Sequence, residues 1–299
     1  MPKIFDDPDT WFNGTTRRTK KSKGAAGGST GGSFRPINHK ARASNVIKGV
    51  QSANPKGTYI PQAVVKISGS SKGMDKAQAH ANYIGRKGEV EIEDEEGNSY
   101  EGEEQKQLLK SWEAMGIHPE DKTGTRKEAL HLVFSMPKGT NPDGLKSAVR
   151  NLVQEEFAGH KYFMAQHLDT DSPHCHVLLC MTDDRGARLN PRKADLHNYR
   201  VAFVNKLAEQ GINATASRRI HRFKYVDSKK QYSIHKDQRL NKVAVSKKPT
   251  ITQQKNIERA HAVVLSSYKE FEKTLPPGEL KAAVKTMIKN KEQKKDLSR

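Results

Sequence analysis

The run KYFMAQHLDTDSPHCHVLLCM, residues 161–181, is the part of this 299-residue chain from which its architecture follows. Its two ends, KYFMAQHL and HCHVLLCM, are apolar and β-forming, and the DTDSP between them is rich in turn residues. We therefore expect two antiparallel strands joined by a tight turn. Cys175 and Cys180 lie five residues apart, which in a strand puts them on opposite faces and indicates buried thiols rather than a disulfide.

The flanking sequence mixes β-branched runs with amphipathic helical patterns. Further strands are predicted at 62–68 and 128–137, and helices at 74–86, 102–116, 141–157 and 191–211. Residues 252–272 and 278–295 have helical patterns but are mostly polar, which indicates either a satellite helical region or a mobile tail. Asn141 is a suitable N-cap for its helix, and Pro142 suits the first helical turn. Because helices follow strands that are hairpin neighbours, the pattern indicates an α+β fold.

Charge is spread unevenly over the chain, which carries a net charge of +19. Residues 1–60 hold 11 basic and 3 acidic residues, and 214–248 hold 11 basic and 2 acidic, whereas 89–104 hold nine acidic residues and no basic one. Clustered Lys and Arg indicate a polyanion such as nucleic acid, because neutralising phosphates releases counterions. A solvated basic surface without a ligand is the alternative. The acidic run is predicted to be an exposed hairpin tip.

A chain of 299 residues can hold one sizeable core or two small ones, and the hydrophobic fraction of only 34% favours polar extensions as well. The run 17–33, rich in Gly, Ser and Lys, buries too little to offset its ordering entropy, so we expect residues 1–58 to be a disordered basic leader. No run of about 18 apolar residues and no signal pattern is present, which predicts a cytoplasmic protein without membrane insertion.

Three histidines are predicted to meet at the hairpin. His174 and His176 are two residues apart, so their imidazoles project from the same face of a strand, and the turn folds His167 back beside them. Three imidazoles leave part of the coordination sphere of a divalent ion open, as in a catalytic site. Asp169 and Asp171 add carboxylates at the rim, suited to orienting imidazoles or accepting a proton.

HLDTDSPHCHVLL resembles the HUH motif of plasmid conjugative relaxases, in particular the P-type (MOB-P) mobilisation nucleases, which include the T-DNA border endonuclease. NYIGRKGEVEI, SWEAMGI, HLVFSMPKGT and GINATASRR fall in the order and spacing of that class, so the resemblance covers roughly residues 60–220. It implies a single relaxase domain, placed at 59–225, with an antiparallel five-stranded sheet backed by helices. Residues 226–299 are then a basic, partly helical C-terminal region.

The resemblance also implies the nucleophile and the reaction. Tyr83 in NYIGRKG matches the family's catalytic tyrosine, and its position at a polar helix end lets Arg86 and Lys87 sit beside a phosphate. With bound Mg²⁺ or Mn²⁺, Tyr83 attacks the strand and forms a reversible 5′-phosphotyrosyl adduct. Asp169 is the candidate to assist its deprotonation, or it orients a histidine. Ser135 matches a position that contacts DNA beside the nick.

The expected substrate is a hairpin with an adjacent single strand at a plasmid transfer origin. Residues 214–232 interleave basic and aromatic side chains, among them Arg218, Arg219 and Arg222, which suits backbone binding and base stacking. Relaxosome accessory proteins and a type IV secretion coupling protein are the implied partners, with export of the protein covalently bound to DNA. Two alternatives remain: a non-catalytic origin-binding accessory protein, and a rolling-circle replication initiator of the HUH superfamily, in which the tyrosine follows the histidines.

Overall fold

The computed structural model describes residues 8–14, 39–114, 126–224, 239–240 and 249–296. They belong to two compact units. We call residues 13–41 and 60–216 the sheet unit, and residues 1–12, 42–59 and 217–299 the helical unit. This division differs from the predicted one, because residues 217–224 and much of the predicted leader belong to the helical unit.

The described residues contain the helices and strands that the sequence patterns predict, and in addition two short strands and two helices. The strands are β1 (Val64–Lys72), β2 (Ile92–Glu93), β3 (Ser99–Tyr100), β4 (Lys127–Ser135), β5 (His160–His167) and β6 (His174–Asp183). The helices are α1 (Pro8–Asn13), α2 (His39–Ala53), α3 (Met74–Ile84), α4 (Glu103–Ala114), α5 (Pro142–Glu156), α6 (Lys193–Glu209), α7 (Ile251–Thr274) and α8 (Glu279–Asp296). The Asn141 side chain caps α5 as expected, accepting hydrogen bonds from the amides of Asp143 and Gly144.

The sheet unit contains one antiparallel sheet of six strands, in the order β1-β4-β6-β5-β2-β3. The α+β class is confirmed, but the expectation of five strands is wrong. The additional pairing comes from the acidic run, where Ile92 pairs with Ala165 and Glu93 with Met164 of β5. Glu93 is buried and accepts a 2.6 Å hydrogen bond from Arg150 of α5, so this part of the hairpin is docked rather than exposed.

The two faces of the sheet have different partners. Cys175, Val177 and Leu179 of β6 belong to the larger core, which also holds residues of α5 and α6. Leu178 and Cys180 belong to a smaller core with residues of α3. Both cysteines are buried and free, on opposite faces as predicted. His174 and His176 alternate with the larger-core residues, so they share the face of the sheet covered by α3.

The helical unit has a hydrophobic core of its own. Trp11 and Phe12 of α1 and Val50 of α2 are buried together with residues of α7 and α8, among them Tyr268 and Met287. The Trp11 ring meets Tyr268 edge-on at 5.2 Å between centroids. Burial of these side chains offsets the ordering entropy of α1 and α2.

The prediction of a wholly disordered leader is therefore wrong for α1 and α2. Their core partners lie more than 200 residues further along the chain, where local composition cannot reveal them. The Gly- and Ser-rich run 17–33 lies outside the described residues. Within the part of the chain that the structure covers, no helix is long and apolar enough to cross a bilayer.

Candidate functional site

Three imidazoles meet where β5 ends and β6 begins. His167 pairs directly with His174, and Ala165 with His176, so the hairpin register brings the three rings together. One nitrogen from each of His167, His174 and His176 lies within 4.8 Å of the others. Their ring centroids are 4.7 to 5.3 Å apart. The convergence predicted from the spacing is thus present in the fold.

Hydrogen bonds to backbone carbonyls assign the tautomers of two of these rings. Nε2 of His167 donates to the Ile84 carbonyl at 2.6 Å, and Nδ1 of His174 donates to the Ser172 carbonyl at 3.0 Å. In each ring the other nitrogen then carries the lone pair that a metal requires. Nδ1 of His176 is buried and has no hydrogen-bond partner among the described residues.

Burial keeps two rings of the cluster, His167 and His176, uncharged. It lowers the pKa of His176 to about 3, with the neighbouring imidazoles adding to the effect. Burial also lowers the pKa of His167, while its bond to Ile84 opposes the shift. At neutral pH both rings are neutral and available as ligands. The unpaired buried nitrogen of His176, the neutral rings of His176 and His167, and the adjacent imidazole of His174 therefore fit a divalent cation.

Tyr83 lies beside this cluster at the carboxyl end of α3. Its side chain is 57% exposed, which is unusual for a large aromatic residue and leaves the phenol accessible. The next residue, Ile84, supplies the carbonyl that binds His167, so the helix end is tied directly to the cluster. The turn that follows holds Arg86 and Lys87 at φ 49° and 61°, a left-handed conformation that costs energy in residues other than glycine.

That strained turn directs Arg86 into the site. Its Nη2 donates to Asp169 Oδ2 at 2.6 Å and lies 3.4 Å from His167 Nδ1. Its Cζ is 5.4 Å from the centroid of the Tyr83 ring. One guanidinium therefore contacts the tyrosine, the carboxylate and a cluster histidine.

Asp169 is engaged with Arg86. Desolvation raises the pKa of the Asp169 carboxyl, but the hydrogen bond and the charge of Arg86 together outweigh it and lower the pKa overall. A carboxylate with a lowered pKa is a weaker proton acceptor, which favours the positioning role over the general base. The side chain that Asp169 contacts is Arg86, a partner that the sequence did not suggest. Asp171 forms an exposed ion pair with Lys138 at 3.1 Å.

The remaining predicted residues divide between the two units. Ser135 pairs with His174 across β4 and β6, at the edge of the cluster, and Lys87 is exposed. Arg218, Arg219 and Arg222 belong to the helical unit, around a short 3-10 turn. Arg219 is exposed there, whereas burial lowers the pKa of both Arg218 and Arg222.

Two histidines beside Tyr83 were missed by sequence reasoning. His80 lies one helical turn before Tyr83, with the ring centroids 5.9 Å apart and the planes inclined by 25°. His131 of β4 stacks on His80, with the ring centroids 3.5 Å apart and the planes inclined by 4°. Two signals were available: the three-residue spacing of His80 from Tyr83, and the alternation that puts His131 on the same strand face as Ser135.

Comparison with known proteins gives a consistent result. Residues 83–212 match the family model "Relaxase: MobA/VirD2-like, nuclease domain". The chain is 25% identical to T-DNA border endonuclease VirD2 of Rhizobium radiobacter over 133 residues, which is 40% of this chain and 31% of the relative. It is 25% identical to T-DNA border endonuclease VirD2 of Agrobacterium fabrum over 182 residues, 54% of this chain and 40% of the relative.

The chain thus matches less than half the length of these curated relatives. A chain from the solved structure "Molecular Basis of Vancomycin Resistance Transfer in Staphylococcus aureus" aligns over 54% of this chain and 100% of its own length, with 12% identity and a TM-score of 0.36. The family match begins at the exposed tyrosine and contains the whole histidine cluster. Residues 83–212 are thus similar to the relaxase nuclease domains of the MobA/VirD2-like family.

Proposed function

We propose that this protein is a DNA relaxase that nicks one strand at a plasmid transfer origin and remains joined to the 5′ end through Tyr83. The proposal rests on one observation: an exposed tyrosine lies next to a cluster of three histidines. The two are linked by the hydrogen bond from His167 to the carbonyl of Ile84, the residue after Tyr83. A family match over the same residues and relatives described as T-DNA border endonucleases support it.

The proposed reaction exchanges one phosphodiester for another. The Tyr83 oxygen attacks the phosphorus of the scissile bond, forming a tyrosine–phosphorus bond while the bond to the 3′ oxygen breaks. The phenol loses its proton, and the leaving oxygen gains one to become a 3′-hydroxyl. Since the bonds broken and formed are of the same kind, the 3′-hydroxyl can later attack the adduct, rejoin the strand and release Tyr83.

His167, His174 and His176 are the proposed ligands of the divalent cation. When bound, the cation supplies positive charge that polarises the non-bridging oxygens of the phosphodiester. Of the two candidate ions, Mn²⁺ suits this donor set better than Mg²⁺, since Mg²⁺ prefers oxygen ligands and keeps several waters.

Arg86 is the proposed phosphate clamp. Its guanidinium contacts Tyr83 and carries a charge that Asp169 holds in place, so a scissile phosphate bound by Arg86 would lie next to the nucleophile. Asp169 then acts by positioning Arg86 rather than by accepting the proton of Tyr83. Lys87 and Ser135 are proposed to contact the strand on either side of the cleaved bond.

The wider setting follows from the same proposal. Arg218, Arg219 and Arg222 would bind the strand at the origin, in hairpin or single-stranded form. We assign the protein to the MOB-P class of the HUH superfamily and expect it to act in the cytoplasm with relaxosome accessory proteins. A type IV secretion coupling protein would then receive the covalent adduct for export.

The test uses the full chain, Mn²⁺ or Mg²⁺, and labelled single-stranded oligonucleotides that tile the DNA flanking the gene encoding it. We expect one oligonucleotide to be cut, with the protein joined to the 5′ end of the downstream product on a denaturing gel. Tyr83→Phe should abolish the adduct and leave DNA affinity unchanged. Tyr59→Phe is the matched control, because Tyr59 is also exposed, at 71%, but lies in the helical unit.

Two outcomes would contradict the proposal. An adduct on the 3′ side of the break would assign the opposite polarity. Full activity of Tyr83→Phe, or no cleavage of any tile with either ion, would remove Tyr83 from the reaction or the reaction from this protein.

A further inference from the structure

A row of stacked rings leads from the sheet to the nucleophile. His131 lies face to face with His80 at 3.5 Å between centroids, and His80 faces Tyr83 at 5.9 Å. The guanidinium of Arg86 also lies over the Tyr83 ring, 5.4 Å from its centroid. The phenol ring thus has an imidazole and a guanidinium as neighbours, although most of its surface is exposed.

The inner end of this row is anchored in the sheet. Nε2 of His131 is 2.7 Å from the hydroxyl of Ser71, a buried residue on the neighbouring strand β1. Gly69 gives the His131 ring its space, since a Cβ at position 69 would lie only 3.2 Å from His131 Nδ1. The register of β1 shifts between Ile67 and Gly69, opposite His131. Strand geometry therefore holds the His131 ring.

The rings of the row stack without charge repulsion. Burial lowers the pKa of His80, and burial together with the nearby His80 lowers the pKa of His131 to about 4. Both imidazoles are neutral near pH 7, so their close parallel contact carries no like-charge penalty. The contact can act as a fixed support for a neighbouring ring.

A support of this kind matters for an exposed nucleophile. The tyrosine side chain turns about its own single bonds, and its oxygen must be held close to a phosphorus atom in line with the leaving group. A misplacement of about 1 Å can slow such a step by about 100-fold. Within α3, His80 is the side chain that stacks on Tyr83.

We propose that His80 and His131 are positioning residues that hold the Tyr83 ring by stacking, so that its oxygen is presented to the scissile phosphate. This inference rests on the proposed function. His80 contacts the nucleophile, and His131 acts through His80.

The first test is single-turnover cleavage of the oligonucleotide cut by the wild-type protein. His80→Ala and His131→Ala should lower the rate constant at saturating DNA by about 10- to 100-fold, with unchanged DNA affinity and Mn²⁺ affinity. His80→Phe should recover most of the rate, since it keeps the stacking surface without a titratable group. Gln78→Ala, on the same helix, is the control. Ser71→Ala gives a milder version of the His131 change if His131→Ala lowers the thermal stability.

The second test does not depend on cleavage. In protein labelled with fluorotyrosine, the ¹⁹F resonance of Tyr83 is identified by its loss in Tyr83→Phe. It should shift in His80→Ala and return towards the wild-type position in His80→Phe, because ring currents depend on stacking.

Each result bears on one proposal or the other. An unshifted Tyr83 resonance, unchanged rates in both Ala variants, or a His80→Phe enzyme as slow as His80→Ala would overturn the positioning role. A wild-type protein that cuts no oligonucleotide but shows the expected resonance shifts would overturn the relaxase proposal while supporting the stacked arrangement of Tyr83.

Discussion

The two units of this protein differ sharply in charge. The helical unit holds 26 Lys and Arg residues against 11 Asp and Glu, a net charge of +15. The sheet unit holds 27 basic and 23 acidic residues, a net charge of +4, and its residues 60–216, which contain the histidine cluster and Tyr83, have a net charge of −3. Most of the attraction for a polyanion therefore lies in a different unit from the groups proposed to cut it.

The two units also differ in how far their basic side chains are balanced by carboxylates. In the sheet unit, basic side chains meet carboxylates, as Arg150 does with Glu93 and Lys161 with Glu95. In the helical unit Lys269 pairs with Glu292, but the basic side chains of that unit outnumber its carboxylates by 15. An excess of this size is available for phosphates. We infer that cleavage and strand affinity can be altered separately.

The largest effect on cleavage is expected from the cluster. Loss of a residue that hydrogen-bonds a metal ligand typically weakens metal binding by about 10- to 100-fold. His176→Ala removes a proposed ligand itself, so it should weaken Mn²⁺ binding by more than this, and cleavage should fall below detection. Isothermal titration with Mn²⁺ and the denaturing gel measure the two effects. His261→Ala, in the helical unit, should change neither. An unaltered Mn²⁺ affinity in His176→Ala would show that the cluster is not the metal site.

A smaller effect is expected from Asp169→Asn. The amide keeps the shape but removes the charge that holds Arg86, so the cleavage rate should fall by about tenfold, while strand affinity stays the same. Asp171→Asn is the matched control. Among the described residues, the Asp171 carboxylate pairs with the exposed Lys138 and not with a histidine of the cluster. Equal rates for the two variants would mean that Asp169 has no part in positioning Arg86.

Strand affinity should respond to the helical unit instead. The logarithm of the single-strand affinity falls with the logarithm of the salt concentration, with a slope of about −0.7 for each phosphate contact. Replacing Arg218, Arg219 and Arg222 by Gln should therefore make this slope shallower by up to about 2. Cleavage at saturating protein should persist. The control makes the same charge change in the sheet unit, at Lys110, Arg185 and Lys193. If both triple variants lower the slope equally, the proposed division of labour fails.

The smallest effect on cleavage is expected from Gly49→Ala. A Cβ at position 49 would lie about 2 Å from the ring of Phe12, so the helical core must shift, at a cost of about 1–3 kcal/mol in its unfolding free energy. Gly278→Ala in the same unit meets nothing within 4 Å and should be neutral. Thermal unfolding measures the change, and cleavage of saturating DNA should equal that of wild type. A loss of cleavage would show that the two units do not act independently.

The sequence alone was sufficient to predict those parts of the structure that depend on neighbouring residues or on the repeat of a strand or helix. The hairpin 161–181 and the spacing of His174 and His176 predicted the cluster, and Asn141 predicted its helix start. The position of Tyr83 at the end of a helix was also readable, because a polar Gly-containing turn follows it directly. In each case the residues that determine the geometry lie within a few positions of one another.

Only the tertiary structure decided the contacts between distant segments. The sixth strand depends on Ile92 pairing with Ala165, and the order of α1 and α2 depends on α7 and α8. Asp169 meets Arg86 across 83 residues of chain, and His131 meets His80 across a strand and a helix. Composition and periodicity report how a segment packs, but not which segment packs against it. That choice is made by the whole core, since it depends on burying many side chains at once.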